Sequence, residues 1–224
     1  MADGFSSESL LDEVALTVYN YVVNDLGVSP SRVVLIGRSV GSGPAVKLAS
    51  TLDSKGTPVA ALVLQSPYTS IRAVADDLLG CVSLCFLDRW ESWRSLAHSK
   101  SSSSSASSCS CCCCSGAMFS PSLSFGVGVI KSPVLFVHAD NDEIIFHAHS
   151  LHLHSLRLKD NLPTAIFTQV STEGFTKNHN QFDFDSDYII PTRDFLHKHV
   201  PYSPEVGRKL RYHQINYRFF FSFF

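Results

Sequence analysis

Residues 32–43 read Arg-Val-Val-Leu-Ile-Gly-Arg-Ser-Val-Gly-Ser-Gly, and the reading of this stretch decides the fold. Val33 to Ile36 form an apolar run that ends at glycine, the pattern of a strand buried on both faces. Pro44, Ala45, Val46, Leu48 and Ala49 follow as the first turns of a helix. Strand, G-x-S-x-G and helix in that order put Ser39 on a sharp turn, the arrangement called a nucleophile elbow. Gly37 and Gly41 lack a Cβ, so strand and helix can approach closely around the serine.

Outward from the elbow, helices alternate with short apolar strands. Residues 7–26 carry the apolar spacing of an amphipathic helix, with Ser6 or Ser7 as its cap and Glu8, Asp12 and Glu13 in its first turns. Gly27 stops it, and Ser29-Pro30-Ser31 turns into the elbow strand. Val59 to Gln65 predicts a second strand, 70–80 a helix, and 88–93 a short helix or turn. Val134 to Val137 predicts a third strand, 146–158 a helix, and Thr164 to Val170 a fourth strand. A loop from Ser171 to Asn180 precedes a last helix over 183–199, interrupted near Pro191. This alternation predicts an α/β fold with a mostly parallel sheet and helices on both faces.

Residues 99–116 break the pattern with a serine-rich tract that holds five of the seven cysteines. Such composition cannot bury enough surface to order itself. The chain therefore divides into 1–98, a disordered insertion over 99–128, a second half of the same domain over 129–200, and a basic-aromatic tail over 201–224. The tail ends in Phe-Phe-Phe-Ser-Phe-Phe and fits either peripheral contact with a membrane or a read-through segment.

Composition excludes several classes. Across 224 residues the net charge is −2, so no global field favours nucleic acid. No apolar run is long enough for a transmembrane helix, the N-terminus lacks a basic-then-apolar signal, and Ala2 excludes N-myristoylation. Cysteines crowded into one tract make a poor disulfide framework. These features predict a reduced, cytoplasmic protein, membrane-associated if the tail binds lipid.

A serine hydroxyl is a weak nucleophile. It needs a base within hydrogen-bond reach, and the base needs a third group to fix its tautomer. Candidate acids after the third strand are Asp140, Asp142 and Glu143. Candidate bases are His179, His197 and His199, of which the last two lie on the final helix. Ser39, Asp142 and His179 all follow predicted strand ends, where ligands bind in parallel sheets. His147, His149, His152 and His154 cluster on one helix, but only His149 and His152 have metal-ligand spacing, and a solvated face is the expected role. Arg38 beside the serine is read either as facing an acidic substrate group or as packing. Trp90 and Trp93 are read as packing rather than as an acyl pocket.

Four strings carry a family resemblance: Gly37 to Pro44, Leu64 to Ser70, Ser132 to Ile145, and His179 to Asp183. Together they resemble the α/β-hydrolase domain-containing proteins 17 and 13, a branch under the broad serine aminopeptidase-like grouping, over about residues 7–98 and 130–200. The resemblance implies a partial α/β-hydrolase fold and a serine hydrolase that needs no cofactor. It implies Ser39 as nucleophile, Asp142 as orienting acid and His179 as base, with the Val40 N–H in the oxyanion hole. Depalmitoylase members of the branch act on acyl thioesters, so the implied partner is an acylated protein or a small ester. The chain departs from the family at Ala139 and Asn178, each in place of glycine. Relative to the family it starts at the helix near residue 7, without the earlier strands and the His-Gly loop that gives a second oxyanion donor. One such donor is worth about 10²–10³ in kcat. The opposing expectation is a truncated, catalytically inert fragment or binding module with an exposed sheet edge.

Overall fold

Alternate side chains of the elbow strand enter two different cores, which is what fixes the layers of the molecule. The computed structural model describes residues 7–80, 89–96, 129–200 and 220–223. Strand β1, Val34–Arg38, is followed by helix α2, Ser42–Ser54. Val33 and Leu35 face one core, shared with Leu62, Leu64, Val134 and Phe136 and covered by Ala15, Tyr19, Ala45, Leu48, Ala49 and Leu153. Val34 and Ile36 face the other, shared with Val63, Leu135 and Val137 and covered by Tyr188, Phe195 and Leu196. A strand with apolar residues at every position can be buried on both faces only in this way.

The remaining strands are β2, Ala61–Gln65; β3, Val134–Ala139; β4, Thr164–Gln169; and β5, Phe220–Phe223. Their order is β4-β3-β2-β1-β5, and every neighbouring pair is parallel. The first helix, α1, spans Glu8–Asn20 and continues as a wider turn over Tyr21–Asp25. Ser7 caps it, its hydroxyl accepting the Leu10 N–H at 3.2 Å. Helix α3, Ile71–Leu79, is capped by Ser70, and α4 is a short helix over Ser92–Leu96. Helix α5 spans Ala148–Lys159, and α6 spans Ile190–His199. Pro191 falls in the first turn of α6, where its missing N–H is tolerated, directly after a π turn over Asp185–Ile189. The chain therefore widens before the proline rather than breaking at it.

The sheet edge beside β1 differs from the sequence expectation. β5 runs parallel along it, with Val34 opposite Phe220 and Gly37 opposite Phe223. An edge strand offers a row of unpaired N–H and C=O groups, and aromatic residues suit an extended partner. The last part of the segment read as a tail is thus a strand of the sheet. Residues 201–219, the proposed insertion over 99–128 and the cysteines at 81 and 85 lie outside the described residues. Among the described residues, no helix is long and apolar enough to cross a membrane.

The described residues on either side of 97–128 meet. The Ile130 N–H donates to the Ser95 carbonyl at 2.9 Å. Arg157 of α5 is wholly buried and secures the same neck. Its Nη1 donates to the carbonyls of Leu96 at 3.1 Å and Ile130 at 2.9 Å, and its Nη2 to those of Ser132 at 2.9 Å and Pro163 at 3.0 Å. Burial pushes this guanidinium down to about 10, so it remains a cation at neutral pH.

Candidate active site

Ser39 follows β1 at once and begins a tight 3₁₀ turn, Ser39–Gly41, that leads into α2. Its φ of 50° lies in the left-handed region, a conformation that costs a non-glycine residue about 1–3 kcal/mol. The Ser42 hydroxyl steadies the turn by donating to the Ser39 carbonyl at 2.7 Å. A Cβ on Gly37 would lie 2.7 Å from both the Gly41 oxygen and the Ser42 Cα, so the elbow closes only over glycine. The Val40 N–H sits in the first turn, where backbone donors have no partner within the helix and the helix end is electropositive.

His179 Nε2 lies 3.0 Å from the Ser39 Oγ, and its Nδ1 lies 2.8 Å from the Asp142 Oδ2. Asp142 accepts only, so Nδ1 carries the proton and Nε2 is left to accept from the serine. His179 is 5% exposed and Asp142 is 5% exposed. Asp142 Oδ1 also accepts the N–H groups of Ile144 at 3.0 Å and Ile145 at 2.9 Å. Burial pushes the Asp142 carboxyl up, but hydrogen bonds from His138, His179 and the Ile145 N–H outweigh burial and hold it well below the usual carboxylate range.

The rivals go elsewhere. Asp140 binds the loop, accepting from the Ser171 N–H at 3.0 Å and the Ser171 hydroxyl at 2.8 Å. Glu143 and His197 are exposed, and His199 packs on Phe195 with ring centroids 4.6 Å apart. Trp90 donates its Nε1–H to Asp12 at 3.1 Å and lies over Gly43, where a Cβ would come within 2.5 Å of its ring. That geometry fits packing against α1.

Three contributors were not legible as site residues. His138 is buried at the end of β3. Its Nε2–H is shared between the Ile145 carbonyl at 2.7 Å and Asp142 Oδ2 at 3.3 Å, while its Nδ1 accepts from Ser150 at 2.6 Å. Lys177 pairs with buried Asp187 at 2.5 Å and ties the histidine loop to the turn before α6. Asn178, standing where the family has glycine, accepts the N–H groups of Asn180 at 3.0 Å and Gln181 at 2.9 Å and so shapes the turn that carries His179. The only signals in the sequence were the strings His138-Ala139 and Asn178-His179.

The histidine cluster of α5 is not a uniform solvated face. Among the described residues, no group of three or more potential ligands is placed to hold a metal ion. His149 is buried, with Nε2 donating to Asp77 at 2.9 Å and Nδ1 accepting the Thr69 N–H at 3.2 Å and its hydroxyl at 2.9 Å. It ties α5 both to Thr69, just before α3, and to Asp77 in the last turns of α3. Burial lowers its pKa from 6.5, against the pull of Asp77, and burial also lowers those of His147, His154 and His199. The unfolded chain then binds protons more readily below pH 6.5, so stability that is complete above that pH declines as pH falls toward the folded-state values. Melting temperature is expected to drop between pH 7 and pH 5, and His149→Asn to flatten that slope; equal slopes in differential scanning calorimetry would contradict the assignment.

No protein-family model matches the chain. Human protein ABHD12B is 38% identical over 204 residues, covering 87% of this chain and 49% of that protein. The lysophosphatidylserine lipase ABHD12 of Danio rerio is 28% identical over 148 residues, covering 64% of this chain and 33% of that protein. Mouse (Mus musculus) α/β-hydrolase domain-containing protein 17C is 26% identical over 177 residues, covering 79% of this chain and 41% of that protein. The chain spans half or less of the length of these curated relatives. An α/β-hydrolase from Vibrio vulnificus superposes with a TM-score of 0.58 at 18% identity, covering 86% of this chain and 59% of that one. With a parallel sheet turned through a strand–serine–helix elbow, and with relatives of this kind across most of its length, the chain belongs to the α/β-hydrolase superfamily.

Proposed function

We propose that this hydrolase acts on carboxylic esters or thioesters through an acyl-enzyme on Ser39. The observation that supports the reading is the continuous chain of hydrogen bonds from the Ser39 Oγ through His179 to Asp142, at 3.0 Å and 2.8 Å, ending on a buried carboxylate. The Ser39 oxygen attacks the acyl carbon as its proton passes to His179 Nε2. The negative charge that develops on the carbonyl oxygen is met by the Val40 N–H at the electropositive start of α2. Collapse of the tetrahedral intermediate breaks the acyl bond, and the leaving alcohol or thiol takes the proton from His179. Water then attacks the acyl carbon as its proton passes to Nε2, and collapse breaks the acyl–Ser39 bond, the Ser39 oxygen taking that proton back from His179 as the acid leaves. Asp142 keeps the imidazole in the tautomer that can accept, and stabilises the imidazolium. These steps need no cofactor.

Two substrate classes fit. The similarity to ABHD12, a lysophosphatidylserine lipase, supports a lysophospholipid ester. The resemblance to the depalmitoylase branch supports a protein S-acyl thioester. The test is labelling of the purified chain by a fluorophosphonate, with turnover of a lysophospholipid compared with that of an S-palmitoyl peptide. Labelling that disappears in Ser39→Ala is the expected result. A folded wild-type chain that neither labels nor turns over either substrate overturns the proposal in favour of a binding module.

A further inference from the structure

We propose that Arg38 is a positioning residue that holds the histidine loop in register with the nucleophile. The inference rests on the hydrolase reading for its kinetic consequence, but not for the contact itself.

Arg38 is the last residue of β1, directly before Ser39. Its side chain crosses to the loop after β4. There Nη2 donates to the His179 carbonyl at 2.9 Å and to the Asn180 Oδ1 at 2.9 Å. The guanidinium lies over the Phe182 ring, 5.9 Å from its centroid. Three features of the loop, the main chain of His179 and the side chains of Asn180 and Phe182, are thus held by one side chain. The same strand end that sets the position of Ser39 also sets the position of the imidazole's own backbone. On its far side the loop is fastened by Ser171 to Asp140 and by Lys177 to Asp187. Arg38 supplies the fastening on the nucleophile side.

The nitrogen that reaches the loop has both of its hydrogens in use, and Nε is buried without a hydrogen-bond partner. A hydrogen-bond tie of this kind acts on catalysis through distance. The serine oxygen and the imidazole nitrogen must meet within hydrogen-bond reach, and a displacement of about 1 Å can cost about 10²-fold in rate. Because both bonds come from one nitrogen, an ammonium with three donors can reproduce them, whereas a thioether cannot.

The experiment compares Arg38→Met, which keeps the apolar stem over Phe182, with Arg38→Lys and with Asn180→Ala. In Arg38→Met, kcat of the unlabelled enzyme and, separately, its rate of reaction with a fluorophosphonate are expected to fall by roughly 10–100-fold with KM changed less than about two-fold. Arg38→Lys is expected to recover most of that loss, and Asn180→Ala to lose only a few-fold. Amide hydrogen exchange over residues 176–182 is expected to quicken in Arg38→Met and to return toward wild type in Arg38→Lys. Unchanged exchange and unchanged kcat in Arg38→Met would overturn the proposal, as would a change confined to KM. If the wild-type chain has no activity, the hydrolase reading fails on that result alone, and the exchange measurement still decides whether Arg38 holds the loop.

Discussion

Asp142→Asn is expected to lower kcat by about 10⁴ while leaving the backbone in place. The reason lies in which donors face each oxygen. Two backbone N–H groups face Oδ1, and two histidine N–H groups face Oδ2. A carboxylate accepts on both sides. An asparagine amide accepts on one side only. If its NH₂ turns toward His179, Nδ1 must become the acceptor, and Nε2 then carries a hydrogen toward Ser39, which cannot accept the serine's proton. If its NH₂ turns toward Ile144 and Ile145, donors meet donors in a buried site, at about 1–3 kcal/mol. Kinetics on an activated ester and a thermal melt separate these outcomes. Near-wild-type kcat in a folded variant would sink the proposed role. Asp140→Asn is the natural control: it loosens the bonds to Ser171 without touching the imidazole, and its effect is expected to be far smaller.

The second large effect concerns stability. Arg157→Met is expected to destabilise the fold by about 3–5 kcal/mol, the scale for deleting one side of a buried charged network. Methionine fills most of the same volume, so the loss reports unsatisfied polar groups rather than a cavity. Four carbonyls, of Leu96, Ile130, Ser132 and Pro163, lose their donor together. Arg157→Lys retains a charge but replaces a planar fork with a point donor, and falls between the two. Urea titration of the three proteins measures the order. A methionine variant within about 1 kcal/mol of wild type would show that these carbonyls find other donors.

The elbow was readable because its signals are local: an apolar run, a glycine demanded by backbone approach, and a helix pattern, all within about twenty residues. The layers were readable for the same reason, since a strand apolar at every position must be covered on both faces. What separates Asp140 from Asp142 is not local. The two carboxylates stand two residues apart in similar sequence, and only the return of the chain at Ser171 and His179 gives each its partner. Arg157 illustrates the limit. On a helix also bearing Lys159, an arginine reads as surface, and its four partners are backbone oxygens that no residue type announces. β5 was hidden because edge pairing depends on an open main chain elsewhere in the fold, not on the composition of the segment that fills it. His138 carries no local signal of its role, because that role is to donate its Nε2–H toward a carboxylate four residues later.

The single bond between Ile130 and Ser95 has a consequence for how this chain can change over time. The two stretches of chain that flank residues 97–128 are joined by the folded core, and Arg157 binds the carbonyls of both Leu96 and Ile130. The thermodynamic cost of closing a flexible loop grows only with the logarithm of its length, about 0.6 kcal/mol per doubling. Codons can therefore accumulate or disappear in that interval with little selection from stability, while the distances among Ser39, Asp142 and His179 stay untouched. The neck makes sequence length in that interval a nearly neutral variable, and it marks the place where a reporter or an affinity tag can be inserted.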